Sequence, residues 1–162
     1  MKLPSQIAKN FREVFFGGNW TSSNLKDNLA DVTWQQATTQ VYDLNTIAIL
    51  VFHTSYYVNT VLKVLHGEPL DAHDKYSFDL PPILSQQDWE KLLDNTLSDA
   101  EKLAGLIEQL PESKLWENMA DEKYGNYYRN FQGIIEHTHY HLGQIALIKK
   151  ILLQSPFSKV TP

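Results

Sequence analysis

Apolar residues recur at helical spacing over most of the chain, and the two-residue alternation of strands is sustained nowhere. Ile7, Phe11, Val14 and Phe15 share one face of a helix predicted over Ser5 to Phe16, which stops at Gly17-Gly18, where a left-handed ending is easy. A second amphipathic piece runs through Leu25, Leu29 and Val32, and the TWQQ stretch from Thr33 to Gln36 reads as a capping box opening a further turn. From Leu44 to His66 the chain is apolar on nearly all sides, the mark of a central helix, and Gly67 supplies its stop. Gly67, Pro69, Pro81 and Pro82 make residues 67–84 a long surface crossover. The SQQD stretch, Ser85 to Asp88, then caps a helix through Trp89, Leu92, Leu93, Leu97, Leu103 and Leu106 to about Leu110, where Pro111 ends it. A charged, aromatic connection over 111–125 leads into the last helix, Asn126 to Gln154, with Lys149 and Lys150 placed near its C-terminus, where the helix dipole favours them.

Four long elements joined by two extended connections predict an all-α protein, a four-helix bundle with long crossover connections. No repeat or linker divides it, so one domain over 1–162 is expected, large enough to bury about 68–70% of its unfolded surface. The formal charge of -5 comes with no basic run, which argues against nucleic acid as a partner, because phosphate binding needs clustered Lys and Arg. With no cysteine there is no disulfide framework, no thiolate nucleophile and no Cys-based metal site, so any metal must be held by His, carboxylate or water. The N-terminus has no apolar signal region, and the longest unbroken apolar run, IAILVF, is too short to span a bilayer; the expectation is a soluble, cytoplasmic protein with no membrane partner.

The stretch IIEHTHYHLGQ carries His137, His139 and His141 at alternate positions. On a helix these do not share a face. At 100° per residue His141 lies about 40° and His137 about 80° to one side of the core-facing line through Tyr127, Phe131, Ile134, Thr138, Ile145 and Leu152, whereas His139 lies about 120° away on the other flank. His137 and His141, one turn apart, can converge on a single ion; the spacing is that of HExxH zinc helices, but Thr138 replaces the catalytic Glu. A third ligand must come from another helix, and His53 is the candidate, sitting mid-helix where an unpartnered imidazole is costly. The plainer alternative is that His53 bonds a buried carbonyl or a Tyr hydroxyl. Three imidazoles from two helices suit Zn, Ni, Fe or Cu and leave a coordination position open.

The order of these features, a mid-helix His in FHTSYYVNTVLKVLHGEPLD, then HxxxHxxQ within GIIEHTHYHLGQIALIKK, together with GGNWTSSNLKDNLADVTWQQA near the N-terminus, resembles the DinB-like metalloenzyme superfamily over nearly the whole chain. The resemblance implies a four-helix bundle with nickel or zinc in a cleft, held here by His53, His137 and His141. It also implies a metal-dependent enzyme of thiol-transferase or hydrolase type, acting on a small molecule such as a low-molecular-weight thiol. Many relatives carry Arg just after the last ligand, where this chain has Leu142. A homodimer is compatible with the pattern.

Around the trio, Gln144 can bond an imidazole or substrate, or simply face solvent. Tyr57 can line the cleft, although a buried aromatic at this spacing is more often packing. The DEKYGNYYRN stretch, Asp121 to Asn130, can lid a cleft or only lead into the helix. His66 and His73 read as surface residues, and Trp20, Trp34, Trp89 and Trp116 as packing residues. An open metal position lowers the pKa of a bound water or thiol, which supports the enzyme reading. The alternative is a non-catalytic, metal-binding or metal-stabilised helical bundle acting through association, and a third reading is an apo module whose histidines pack. No Asp or Glu is fixed beside the trio by spacing, so no general base can be named.

Overall fold

A computed structural model describes residues 2–154. The expectations of one domain over 1–162 and of a chain-long resemblance extend to residues outside that range. Among the described residues the protein is all-α: α1 (Leu3–Phe16), α2 (Leu25–Leu29), α3 (Trp34–Thr38), α4 (Ile47–Leu65), α5 (Gln86–Gln109) and α6 (Tyr127–Gln154), with three short 3-10 turns in the two long connections. The β geometry among them is one isolated antiparallel bridge between Asn118 and Asn126.

The helix ends follow from local chemistry. Pro4 sits in the first turn of α1, where its missing N–H costs nothing and its fixed φ suits the helix, so α1 begins at Leu3 rather than Ser5. Its C-terminal Gly17 has φ 103 and ψ 171. That is extended geometry open to glycine, in place of the expected left-handed turn. The TWQQ capping box is present, with Thr33 and Gln36 bonded reciprocally. Thr46 accepts from the Ile49 N–H and starts α4 at Ile47; Leu44, expected inside this helix, is left exposed in the preceding turn. Ser85 caps α5 by accepting from the Asp88 N–H. Asn126 accepts from the Arg129 N–H at 2.9 Å ahead of α6.

α1 and α4 each pack against both α5 and α6 around one continuous hydrophobic cluster. By length and composition α4 passes as a membrane span, yet 61% of its 18-residue apolar stretch is buried inside the protein, as for a core helix. Lys149 acts differently from the sequence expectation. It lies more than a turn from the end of α6 and is tied to the end of α2, donating to the Asn28 carbonyl at 2.9 Å and to the Asp31 carboxylate. The tryptophans also divide. Trp89 is fully buried and Trp34 half-buried, but the turn after Gly17-Gly18 carries Trp20 into solvent at 98% exposure, and Trp116 is 56% exposed beside Tyr128.

Trp89 joins α5 to the segment between α2 and α3 by donating from Nε1 to the Val32 carbonyl at 2.8 Å. Trp89→Phe removes ring volume and orphans a buried acceptor. It is expected to destabilise the protein by about 2–3 kcal/mol in urea unfolding, and a change within about 0.5 kcal/mol would contradict this account.

Candidate metal centre

His53 comes from the middle of α4, and His137 and His141 from successive turns of α6. Packing of α4 on α6 turns all three rings toward one point. The Nε2 atom of His137 lies 2.9 Å from Nε2 of His53 and 3.0 Å from Nε2 of His141. One nitrogen from each of the three residues falls within 4.8 Å of the others, so together they could hold a metal ion. His53 and His141 are 5% and 8% exposed and His137 is half-buried. His139 is outside the cluster, as its helical phase predicts.

The outer ring nitrogens decide where the protons are. Ser77 donates its hydroxyl hydrogen to the Asp74 carbonyl at 2.6 Å. Its oxygen, 2.7 Å from His53 Nδ1, can then only accept, which puts the proton of neutral His53 on Nδ1. Likewise the Gln144 Oε1 atom, 2.7 Å from His141 Nδ1, accepts from it, while Gln144 Nε2 donates to the Tyr140 hydroxyl at 3.2 Å. His53 and His141 therefore turn bare lone pairs inward.

His137 cannot repair this by itself. A proton on its Nε2 satisfies one neighbouring lone pair well and leaves its buried Nδ1, which has no hydrogen-bond partner among the described residues, as an empty acceptor. A proton on Nδ1 leaves three lone pairs facing one another. Either way the cluster lacks a positive centre. The separations of 2.9 and 3.0 Å from His137 are close to the roughly 3 Å expected between ligands about 2 Å from one ion, and neutral imidazole nitrogens are suitable donors for a divalent transition metal. The residues fit an ion.

Burial keeps the trio neutral. It pushes His137 down to about 4, with the charges His141 and His53 would carry adding to the effect. His53 is lowered by burial and then by His141, and His141 by burial against a partial opposing pull from Gln144.

The crossover contributes more than a connection. Its Asp74–Phe78 turn folds back on α4, bringing Ser77 to His53 and stacking the Phe78 ring on the imidazole at 4.2 Å. Asp74 accepts from the Tyr57 hydroxyl at 2.6 Å. Tyr57, held up to about 12 by burial and then by Asp74, stays protonated; its ring lies edge-on to His53 and His137. Tyr57 is thus more than the packing residue its spacing suggested, since it lines a cavity of about 440 Å³ together with His137, Asp74, Tyr124, Arg129 and Asn130. The 121–130 stretch does border a cleft. Asp74 and Ser77 were missed in the sequence because a non-periodic crossover gives no phase from which to place its side chains. His66 and His73 are exposed, the latter beside Asp71 at 3.1 Å. Leu142 is buried in the core.

No family model, curated protein or solved structure matches the chain. The DinB-like resemblance accordingly rests on the residue pattern alone.

The histidine shifts give a stability profile for chelator-treated protein. Imidazole titrates near 6.5 when unfolded, and His137 near 4 when folded, so between these values the unfolded chain binds more protons. Stability should be fully present above about pH 6.5 and fall as the pH drops toward 4. Urea midpoints across this range should show the decline, and His137→Gln should flatten it; an equal slope in the variant would contradict the assignment.

Proposed function

We propose that the chain is a metal-dependent enzyme of the DinB-like superfamily, a four-helix bundle forming a single domain, in which His53, His137 and His141 hold one divalent transition ion, nickel or zinc. The observation that carries this reading is the convergence of three Nε2 atoms, two of them with their protons fixed on the far side of the ring by Ser77 and Gln144. Such an ion supplies Lewis acidity at neutral pH, the chemistry that both thiol transfer and hydrolysis require.

The protein's own residues divide the remaining work. Ser77 and Gln144 orient the rings, as hydrogen-bonded partners of metal-binding histidines do. Asp74 is the carboxylate beside the trio and the acceptor for a proton released by a nucleophile in the cavity, with Tyr57 holding it in place. The cavity also favours an enzyme over a purely structural ion. Structural sites are closed by protein ligands, whereas His137 here forms part of the wall of a space large enough for a small molecule. A low-molecular-weight thiol is the substrate class the resemblance supplies.

Untagged protein reconstituted with nickel or zinc should bind one equivalent. His53→Ala, His137→Ala and His141→Ala should each weaken binding by at least about 100-fold, while His139→Ala stays within about twofold of wild type. Wild-type affinity in all three trio variants would overturn the site. Turnover of thiols with electrophiles, or of ester and amide panels, that is lost with the ion supports the enzyme reading. A fully metallated protein inert to all of them supports the non-catalytic alternative.

A further inference from the structure

Arg129 lies on α6 two turns before His137 and lines the same cavity. Its backbone N–H is taken by Asn126, but among the described residues its guanidinium has no carboxylate or carbonyl partner. Arg12, by contrast, is paired with Glu101 at 2.9 Å and Glu108 at 2.8 Å.

Arg129 is exposed, so its guanidinium is free to meet a ligand at the mouth of the cavity. Its stem lies across Gly125, where an added Cβ would come within 2.6 Å of Arg129 Cδ, and Gly125 has φ +76, a conformation that favours glycine. Asn130 fixes this turn to α6 by donating to the carbonyls of Tyr124 at 3.1 Å and Asn126 at 2.8 Å. Glycine at 125 thus leaves room for the Arg129 stem at the edge of the cavity.

The rest of the lining says what else a ligand needs. Val61, Leu70, Met119 and Ile134 make much of the wall apolar. Asp74, the acidic residue in the lining, already accepts from Tyr57. Eight residues separate Arg129 from His137, about 12 Å along the helix at 1.5 Å per residue.

We propose that this cavity binds a small carboxylate-bearing molecule with an apolar body, the carboxylate paired with Arg129 and the body extending toward His137. Guanidinium and carboxylate match in a two-point, charge-assisted pair, and the cavity volume lies in the range of small-molecule sites. The proposal deepens the function proposed above, and rests on it only in taking the His137 end as the reactive one.

The test uses three probes of similar shape, 4-phenylbutyrate, 4-phenylbutyramide and 4-phenylbutylamine, titrated into the metal-free full chain by calorimetry and by NMR of the His137 ring. The acid should bind at least about tenfold tighter than the amide, with the amine weakest, and should shift the His137 resonances. Arg129→Gln should bring the acid to the level of the amide while leaving the amide within about twofold, and Arg129→Lys should fall between. Equal binding of acid and amide, tightest binding of the amine, no saturable binding of any probe, or an unchanged acid preference in folded Arg129→Gln would each overturn the proposal. Metal-free protein keeps this outcome separate from that of the metal site, and Arg129→Gln should retain the wild-type metal stoichiometry.

Discussion

The Nε2 atoms of His53, His137 and His141 are held within hydrogen-bond distance in a chain, and at least two of them present lone pairs rather than protons. Packing of α4 on α6 brings the three rings together, with His53 and His141 buried in the process. Neighbouring polar groups do not relieve this juxtaposition. Thr54 and Thr138, both buried beside the histidines in sequence, spend their hydroxyl hydrogens on the carbonyls of Leu50 and Ile134 at 2.9 and 2.8 Å. The interior polar groups around the trio are therefore satisfied, apart from the inward imidazole nitrogens and His137 Nδ1. Buried polar groups cost stability unless paired, and an ion with three donors resolves the inward set in one step.

Around that centre the protein is asymmetric. On one side the Asp74–Phe78 turn covers His53 with Ser77 and an aromatic ring. On the other, His137 forms part of the wall of a cavity bordered by Tyr57 and by the turn leading into α6. A covered imidazole beside an accessible one suits chemistry at a bound small molecule. Asp74 links the two sides, since its carbonyl accepts from Ser77 and its carboxylate from Tyr57.

Much of this arrangement was legible from periodicity. The central helix and the separation of His137 and His141 from His139 follow from a 3.6-residue repeat, which fixes direction as well as position, and the caps at Thr33 and Ser85 follow from the residue three positions on. Gln144 falls within reach of His141 by the same repeat. The crossover was not legible. Ser77 and Asp74 reach the centre because an irregular segment folds back on α4, and no repeat encodes that return. The loop tryptophans failed for a related reason: size and hydrophobicity suggested packing for Trp20, but its surroundings depend on a glycine turn whose direction the sequence does not set. Lys149 sits where a dipole argument applies loosely, and a carboxylate at the end of α2 has the stronger claim on it.

The central claim is that all three histidines bind through Nε2, with their protons on Nδ1. Proton NMR of the protein loaded with cobalt(II) reads this directly, because an N–H on a coordinated imidazole gives a strongly shifted, solvent-exchangeable line. The account predicts three such lines, assigned by loss of one in each of the His53, His137 and His141 variants. The lines of His53 and His141 should exchange slowly, since Ser77 and Gln144 accept from them. Absence of shifted exchangeable lines, or a set that persists in the His53 variant, would contradict it.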